Sequence, residues 1–178
     1  MGTAVAATTT AHDKLLAHLS KGSSGNPVCW SGHQQLVQAN SQTAESVRTV
    51  FLETLGLSPN RVIFGPIIQV QNGPVFAQLR HRSNTWIMFH GCKTADNEKS
   101  ITVQGFQVSY AKSGVPGTWF SGTSNYSHQS FAFNDANAWR HLFVCLVTDA
   151  DMKQDSGSVR VVGQSCAYPA WIVHYRCS

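Results

Sequence analysis

From Val62 to the C-terminus the chain is a succession of short apolar runs, and their length is what most constrains the fold. Arg61 to Val70, Trp86 to Phe89, His141 to Val147, Val159 to Val162 and Trp171 to Tyr175 are rich in Val, Ile, Phe and Trp. Runs of this length and composition are strands rather than helices, and Gly, Pro, Asn and Ser punctuate the intervals. His141 to Val147 is the strongest strand signal, whereas Pro66 breaks the strand that contains it. Phe106 to Tyr110 and Trp119-Phe120 read as brief extended pieces. Helical tendency appears at Val75 to Arg80, at Thr94 to Val103, where Gly105 gives the stop, and at Thr123 to Phe131.

The segment before Val62 has another texture. Residues 1 to 10 are small and uncharged and are expected to fray. His12 to Leu19 carries Leu15, Leu16 and Leu19 at helical spacing, Lys21 to Pro27 is a Gly/Ser loop, and Cys29 to Thr43 is polar. A clearer helix runs from Ala44 to Leu55, with Val47, Val50, Phe51 and Leu55 as an apolar stripe for a core and Gly56 as its stop. The expected division is therefore 1–61, a helical and loop extension, and 62–178, a β-rich domain.

Composition excludes several classes. A chain of 178 residues with 42% hydrophobic residues and a mean hydropathy of −0.15 is globular and has room for one core. No apolar run approaches the roughly 20 residues of a membrane-spanning helix. Charged residues are only 12%, about half the usual share, which argues against coiled coils. The net charge of +4 is spread without any run of Lys or Arg, so no basic stripe marks a nucleic-acid surface. The five cysteines, Cys29, Cys92, Cys145, Cys166 and Cys177, are odd in number and contain no C-x-x-C pair, which supports neither a zinc ribbon nor a disulfide framework. With no signal-peptide pattern at the N-terminus, the expectation is a reduced, intracellular chain, monomeric, without a metal.

Common catalytic motifs are absent: no G-x-G-x-x-G, Walker loop, H-E-x-x-H or G-x-S-x-G occurs. What stands out is an ordered string. Phe89-His90-Gly91 ends a buried strand and a helix follows. Gly105-Phe106 comes next, then Gly117-Thr118-Trp119-Phe120-Ser121, Ser124-Asn125-Tyr126-Ser127, the strand Leu142 to Val147, and Ala167-Tyr168-Pro169-Ala170-Trp171-Ile172-Val173. Taken singly, His90 and Tyr126 read as core residues and Gly91 as a turn.

In this order the motifs resemble the catalytic domain of the poly(ADP-ribose) polymerase family, whose pattern runs F-H-G, G-F or G-L, G-x-G-I-Y-F-A, S-x-x-Y-S and A-Y-P-E-Y-L-I. The resemblance covers about Val62 to Arg176. It implies an α+β, ADP-ribosyltransferase-like fold in which two mostly antiparallel β-sheets form an NAD cleft, with the helical N-terminal extension against them. NAD is then the co-substrate. His90 would bond ribose hydroxyls, the backbone of Gly91 would clamp the nicotinamide carboxamide, and Tyr126 would stack on the ring, a contact worth roughly 0.5 to 1.5 kcal/mol beyond area burial. Thr123 and Ser127 complete the expected cofactor-binding set. Matching both Trp119 and Tyr126 needs a short deletion; without it Ser127 would bind the carboxamide and Phe131 would stack.

Two positions depart from the family. Its triad Tyr is Trp119 here, whose indole N–H donates but cannot accept. Its triad Glu falls on Ser158, and residues 156 to 178 contain no acid. That carboxylate polarises the ribose and activates an acceptor sugar for chain growth. The implied catalytic set is thus His90, Trp119 and Ser158, and the implied activity is mono-ADP-ribosyl transfer to a macromolecular acceptor, a protein rather than a nucleic acid. The alternative is an inactive module that binds NAD, ADP-ribose or a protein partner, followed by simple hydrolysis of NAD.

Overall fold

The computed structural model describes residues 9–20, 27, 35–80, 84–110 and 114–178. The expected fraying of residues 1–8, the Gly/Ser loop at 21–26 and Cys29 lie outside the described residues.

Helix α1 (Ala11–His18) starts at a reciprocal cap, in which Thr10 Oγ1 accepts from Asp13 N–H and the Asp13 carboxylate accepts from Thr10. Strand β1 (Gln35–Gln38) leads to α2 (Ser41–Glu53), capped by the Asn40 side chain accepting from Thr43 N–H at 2.8 Å. Val47, Val50, Phe51 and Leu55 are buried, as their spacing predicts. The remaining elements are β2 (Val62–Gln71), α3 (Gly73–Ala77), β3 (Thr85–His90), α4 (Ala95–Gln104), β4 (Thr118–Ser121), α5 (Ser124–Ser130), β5 (Arg140–Thr148), β6 (Met152–Asp155), β7 (Val159–Val162) and β8 (Ala167–Cys177). The strand expected over Phe106 to Tyr110 does not form. Val108–Tyr110 is a 3₁₀ turn, held where Val108 N–H donates to the Gln164 side chain, while Phe106 packs against the rings of Phe120 and Phe143.

The fold is α+β. Its eight strands are hydrogen-bonded in the order β1-β2-β8-β5-β3-β4-β7-β6, and every pairing is antiparallel. One sheet therefore stands where two were expected. The reason is local: β3 and β4 share a single registered pair, Phe89↔Ser121, which joins a broad five-stranded part to a narrow three-stranded part.

Both faces of the broad part are covered, which is why β5 reads as an uninterrupted apolar run. Leu142, Val144 and Leu146 face the core shared with α1, α2 and α3, including Leu15, Val50, Phe51 and Phe76. Phe143, Cys145 and Val147 face the opposite core, with Phe106, Phe120 and Ile101. The helices of the expected N-terminal extension pack into the same core as the strands, and β1 pairs with β2. Pro66 does break β2, but as a bulge between Phe64 and Ile67 and not as an end, because proline has no N–H for the ladder.

Candidate functional site

The narrow junction of β3 and β4 opens a cleft of about 900 Å³, in the upper part of the roughly 300–1,000 Å³ range of small-molecule sites. Its wall comes from the end of β3, from α4, from β4 and from α5. His90, Gly91, Trp119, Tyr126 and Ser127 all line it.

His90 is the last residue of β3, and the strand's alternation turns it toward the α4 side with Met88. Its Nδ1 lies 2.8 Å from the Trp119 carbonyl oxygen. A carbonyl only accepts, so Nδ1 carries the proton and donates, leaving Nε2 of the neutral ring with a free lone pair. Phe106 packs edge-on against the imidazole at 5.0 Å and Phe120 lies at 5.4 Å. This desolvation pushes the His90 pKa below its ordinary value, and the bond to Trp119 offsets only part of the shift.

Gly91 is forced by close approach. A Cβ there would stand 2.5 Å from Phe131 Cβ and 2.7 Å from the Phe131 carbonyl carbon, so the glycine makes room for the end of α5. At the start of α5, Ser124 Oγ donates to the Phe51 carbonyl at 2.6 Å, Ser124 N–H donates to Thr54 Oγ1, and Asn125 N–H donates to the Thr54 carbonyl. The C-terminal end of α2 thereby sets the position of Tyr126 and Ser127. Ser127 is buried, whereas Tyr126 is 46% exposed, with one side of its ring available. Its ring lies 5.7 Å from that of Phe131 at 36°, and Lys93 Nζ lies 5.8 Å from the Phe131 ring. Both stacking candidates of the two alignments therefore border one cleft.

The other expected residues sit at the edge. Thr123 caps α5 without a side-chain bond to the helix, and its N–H donates to Ser121 Oγ, which does line the cleft. Ser158 is exposed in the turn before β7. Its carbonyl accepts from Gly122 N–H at 2.7 Å, and the next residue, Val159, lines the cleft. Ser158 thus stands at the rim beside the end of β4.

Sequence reasoning missed the contribution of α4. Asn97, Ser100 and Ile101 of α4 line the cleft at helical spacing, a signal that was readable once the helix had been placed, and Lys93 lines it from the turn before the helix. Among the described residues Lys93 is the one charged lining residue, and no Asp or Glu lines the cleft. A lone cation gives the cleft a positive character suited to phosphate. Cys92 also lines it, but burial, with the charge of Glu98 adding to it, pushes the thiol up to about 12, which disfavours the nucleophilic thiolate at neutral pH. No family model matches the chain, and no curated protein matches it.

Proposed function

We propose that the cleft binds NAD and that the protein transfers a single ADP-ribose unit from it to a protein acceptor, within the ADP-ribosyltransferase fold that the motifs resemble. The observation that carries this reading is the convergence of His90, Gly91, Trp119, Tyr126 and Ser127, drawn from three separate motifs, on one cleft of about 900 Å³. The broad and narrow parts of the sheet, flanking a single strand pair, fit the two-sheet cleft of that fold.

In this reading nicotinamide lies against Tyr126, with its carboxamide between the Gly91 backbone and Ser127. The Nε2 lone pair of His90 accepts from a ribose hydroxyl, and Lys93 meets the diphosphate. The bond between ribose C1′ and the nicotinamide nitrogen breaks with its electron pair leaving on neutral nicotinamide. The oxocarbenium-like sugar is then captured by an acceptor oxygen. Positioning supplies most of the rate. Among the described residues no lining carboxylate is available to activate a second ribose, so the product is mono-ADP-ribose. Where the acceptor brings its own carboxylate, that group both attacks and balances the charge. The four described cysteines are free thiols, which supports an intracellular, reducing setting. Among the described residues no helix is long and apolar enough to cross a membrane.

The missing carboxylate also favours a second reading, in which the cleft binds NAD or ADP-ribose without turnover. Incubation with labelled NAD separates the two. Label on protein without ladders supports transfer, and Ser158→Glu, which places a carboxylate at the rim, should raise NAD turnover. Calorimetric binding without label or free nicotinamide supports the binding module. Absence of heat at about 1 mM NAD overturns both.

A further inference from the structure

Away from the cleft, three elements bring metal-type donors together. Glu98 comes from α4, His141 from β5 and His174 from β8. The two histidines stand opposite one another in the β5–β8 register, with ring centroids 4.2 Å apart. Glu98 Oε2 lies 2.8 Å from His141 Nδ1, and one ligand-type atom from each residue falls within 4.8 Å of the others. All three side chains are half-buried.

Each imidazole also has an outer anchor. His141 Nε2 lies 3.4 Å from Asp135 Oδ2, and the other Asp135 oxygen accepts from the backbone N–H of Asn137 at 2.8 Å and of Trp139 at 2.9 Å. The Pro66 backbone, at the bulge of β2, faces the His174 ring closely enough to favour its protonated form. The neighbouring Gly65 permits this approach, since a Cβ there would lie 3.2 Å from His174 Cβ. Metal-bound imidazoles are held in this way, with the far nitrogen donating to a carboxylate or carbonyl.

We propose that Glu98, His141 and His174 form a binding site for a divalent metal ion of the zinc class, with Asp135 and the Pro66 carbonyl as outer supports. Two imidazoles and one carboxylate are a donor set for such ions, leaving a position for water. Ligands of a tetrahedral zinc at bonds of about 2.0–2.1 Å lie about 3.4 Å apart, so a small rotation of the Glu98 side chain opens its 2.8 Å contact and closes the set. The consequence reaches the cleft. Asn97, Ser100 and Ile101, on the same helix as Glu98, form part of its wall, and the ion ties that helix to two central strands. Without an ion, a proton on His141 Nδ1 bridges the same groups, so occupancy is what must be measured.

The test uses the full chain, stripped by chelator and titrated with Zn²⁺ by calorimetry and with Co²⁺ by visible absorption. One site at micromolar affinity or tighter is expected, with a tetrahedral Co²⁺ spectrum lacking thiolate charge transfer. His141→Ala, His174→Gln and Glu98→Gln should each weaken Zn²⁺ binding at least about tenfold, and Asp135→Asn by about 10–100-fold as an outer partner. His12→Ala should leave it unchanged. Circular dichroism and the thermal midpoint establish that each variant is folded, and the two histidine variants give independent readings if one is not. Binding weaker than millimolar, a thiolate band, or affinity unaltered in the folded variants overturns the proposal.

Discussion

His90 and His141 occupy the same face of the same sheet, His90 opposite Phe143 and His141 two positions before Phe143 on β5, yet their surroundings are opposed. His90 sits between aromatic rings with one carbonyl partner, and desolvation holds its pKa down. His141 is also penalised by burial, but the hydrogen bond and charge of Glu98, joined by those of Asp135, outweigh the penalty and hold its pKa up. One ring is held toward its neutral form beside a cleft. The other is held toward its protonated form by two carboxylates. The difference teaches that a strand supplies direction, while the neighbours decide charge.

The strongest way to break the contrast is to collapse the His90 side. Gly91→Ala puts a methyl group into the backbone of Phe131, and overpacking of this kind costs about 1–3 kcal/mol. Urea unfolding should show that loss, and weaker or absent binding of a benzamide probe should report the collapse of the cleft. An unchanged midpoint would mean that the end of α5 does not press on Gly91.

A smaller effect isolates the lone pair. His90→Ala should weaken NAD binding about tenfold, the worth of roughly one hydrogen bond near 1.4 kcal/mol. The measurement is calorimetry on metal-free protein, and unaltered affinity would remove His90 from the site.

The pH dependence sharpens the contrast by its sign. His90 has a lowered folded pKa, so the unfolded ring takes up a proton first as pH falls through about 6.5, and stability declines on the acid side. His141 has a raised folded pKa, so its contribution is fully present below about 6.5 and is lost as pH rises through the higher folded value. The His141 contribution is below about 1 kcal/mol, because its partners reach solvent. Urea midpoints measured across this range for His90→Gln and His141→Gln, each subtracted from the parent, should slope in opposite directions. Parallel slopes would refute the assignment of the two rings.

The smallest expected effect concerns Trp119, whose carbonyl and not its indole holds His90. Trp119→Tyr should leave NAD turnover unchanged or raise it by up to about threefold, under about 0.7 kcal/mol of barrier. A large loss would show that the indole itself positions the substrate.

Much of the framework was legible because its signals are local. The stripe Val47, Val50, Phe51 and Leu55 and the apolar runs of β3, β5 and β7 each lie within one element, whereas the start of α2 at Ser41, behind its Asn40 cap and three residues before the expected Ala44, was not read. Strands β1 and β6 were not read, because both are edge strands with mostly exposed, polar residues and no apolar alternation. Motif order singled out His90, Gly91, Trp119, Tyr126 and Ser127, but not Asn97 or Ser100, whose part in the cleft depends on which face α4 turns inward, nor Lys93 in the turn before that helix.

The amino-acid sequence by itself determined the mixed class and the positions of most helices and strands, since hydrophobic period and turn chemistry act between near neighbours along the chain. Only the tertiary structure decided that the strands join through a single β3–β4 pair, that Ser158 stands at a rim, and that Glu98, His141 and His174 meet. Only it lowered the pKa of one histidine and raised that of another. Those outcomes follow from register, burial and desolvation, which arise between residues far apart in the chain and have no local pattern to announce them.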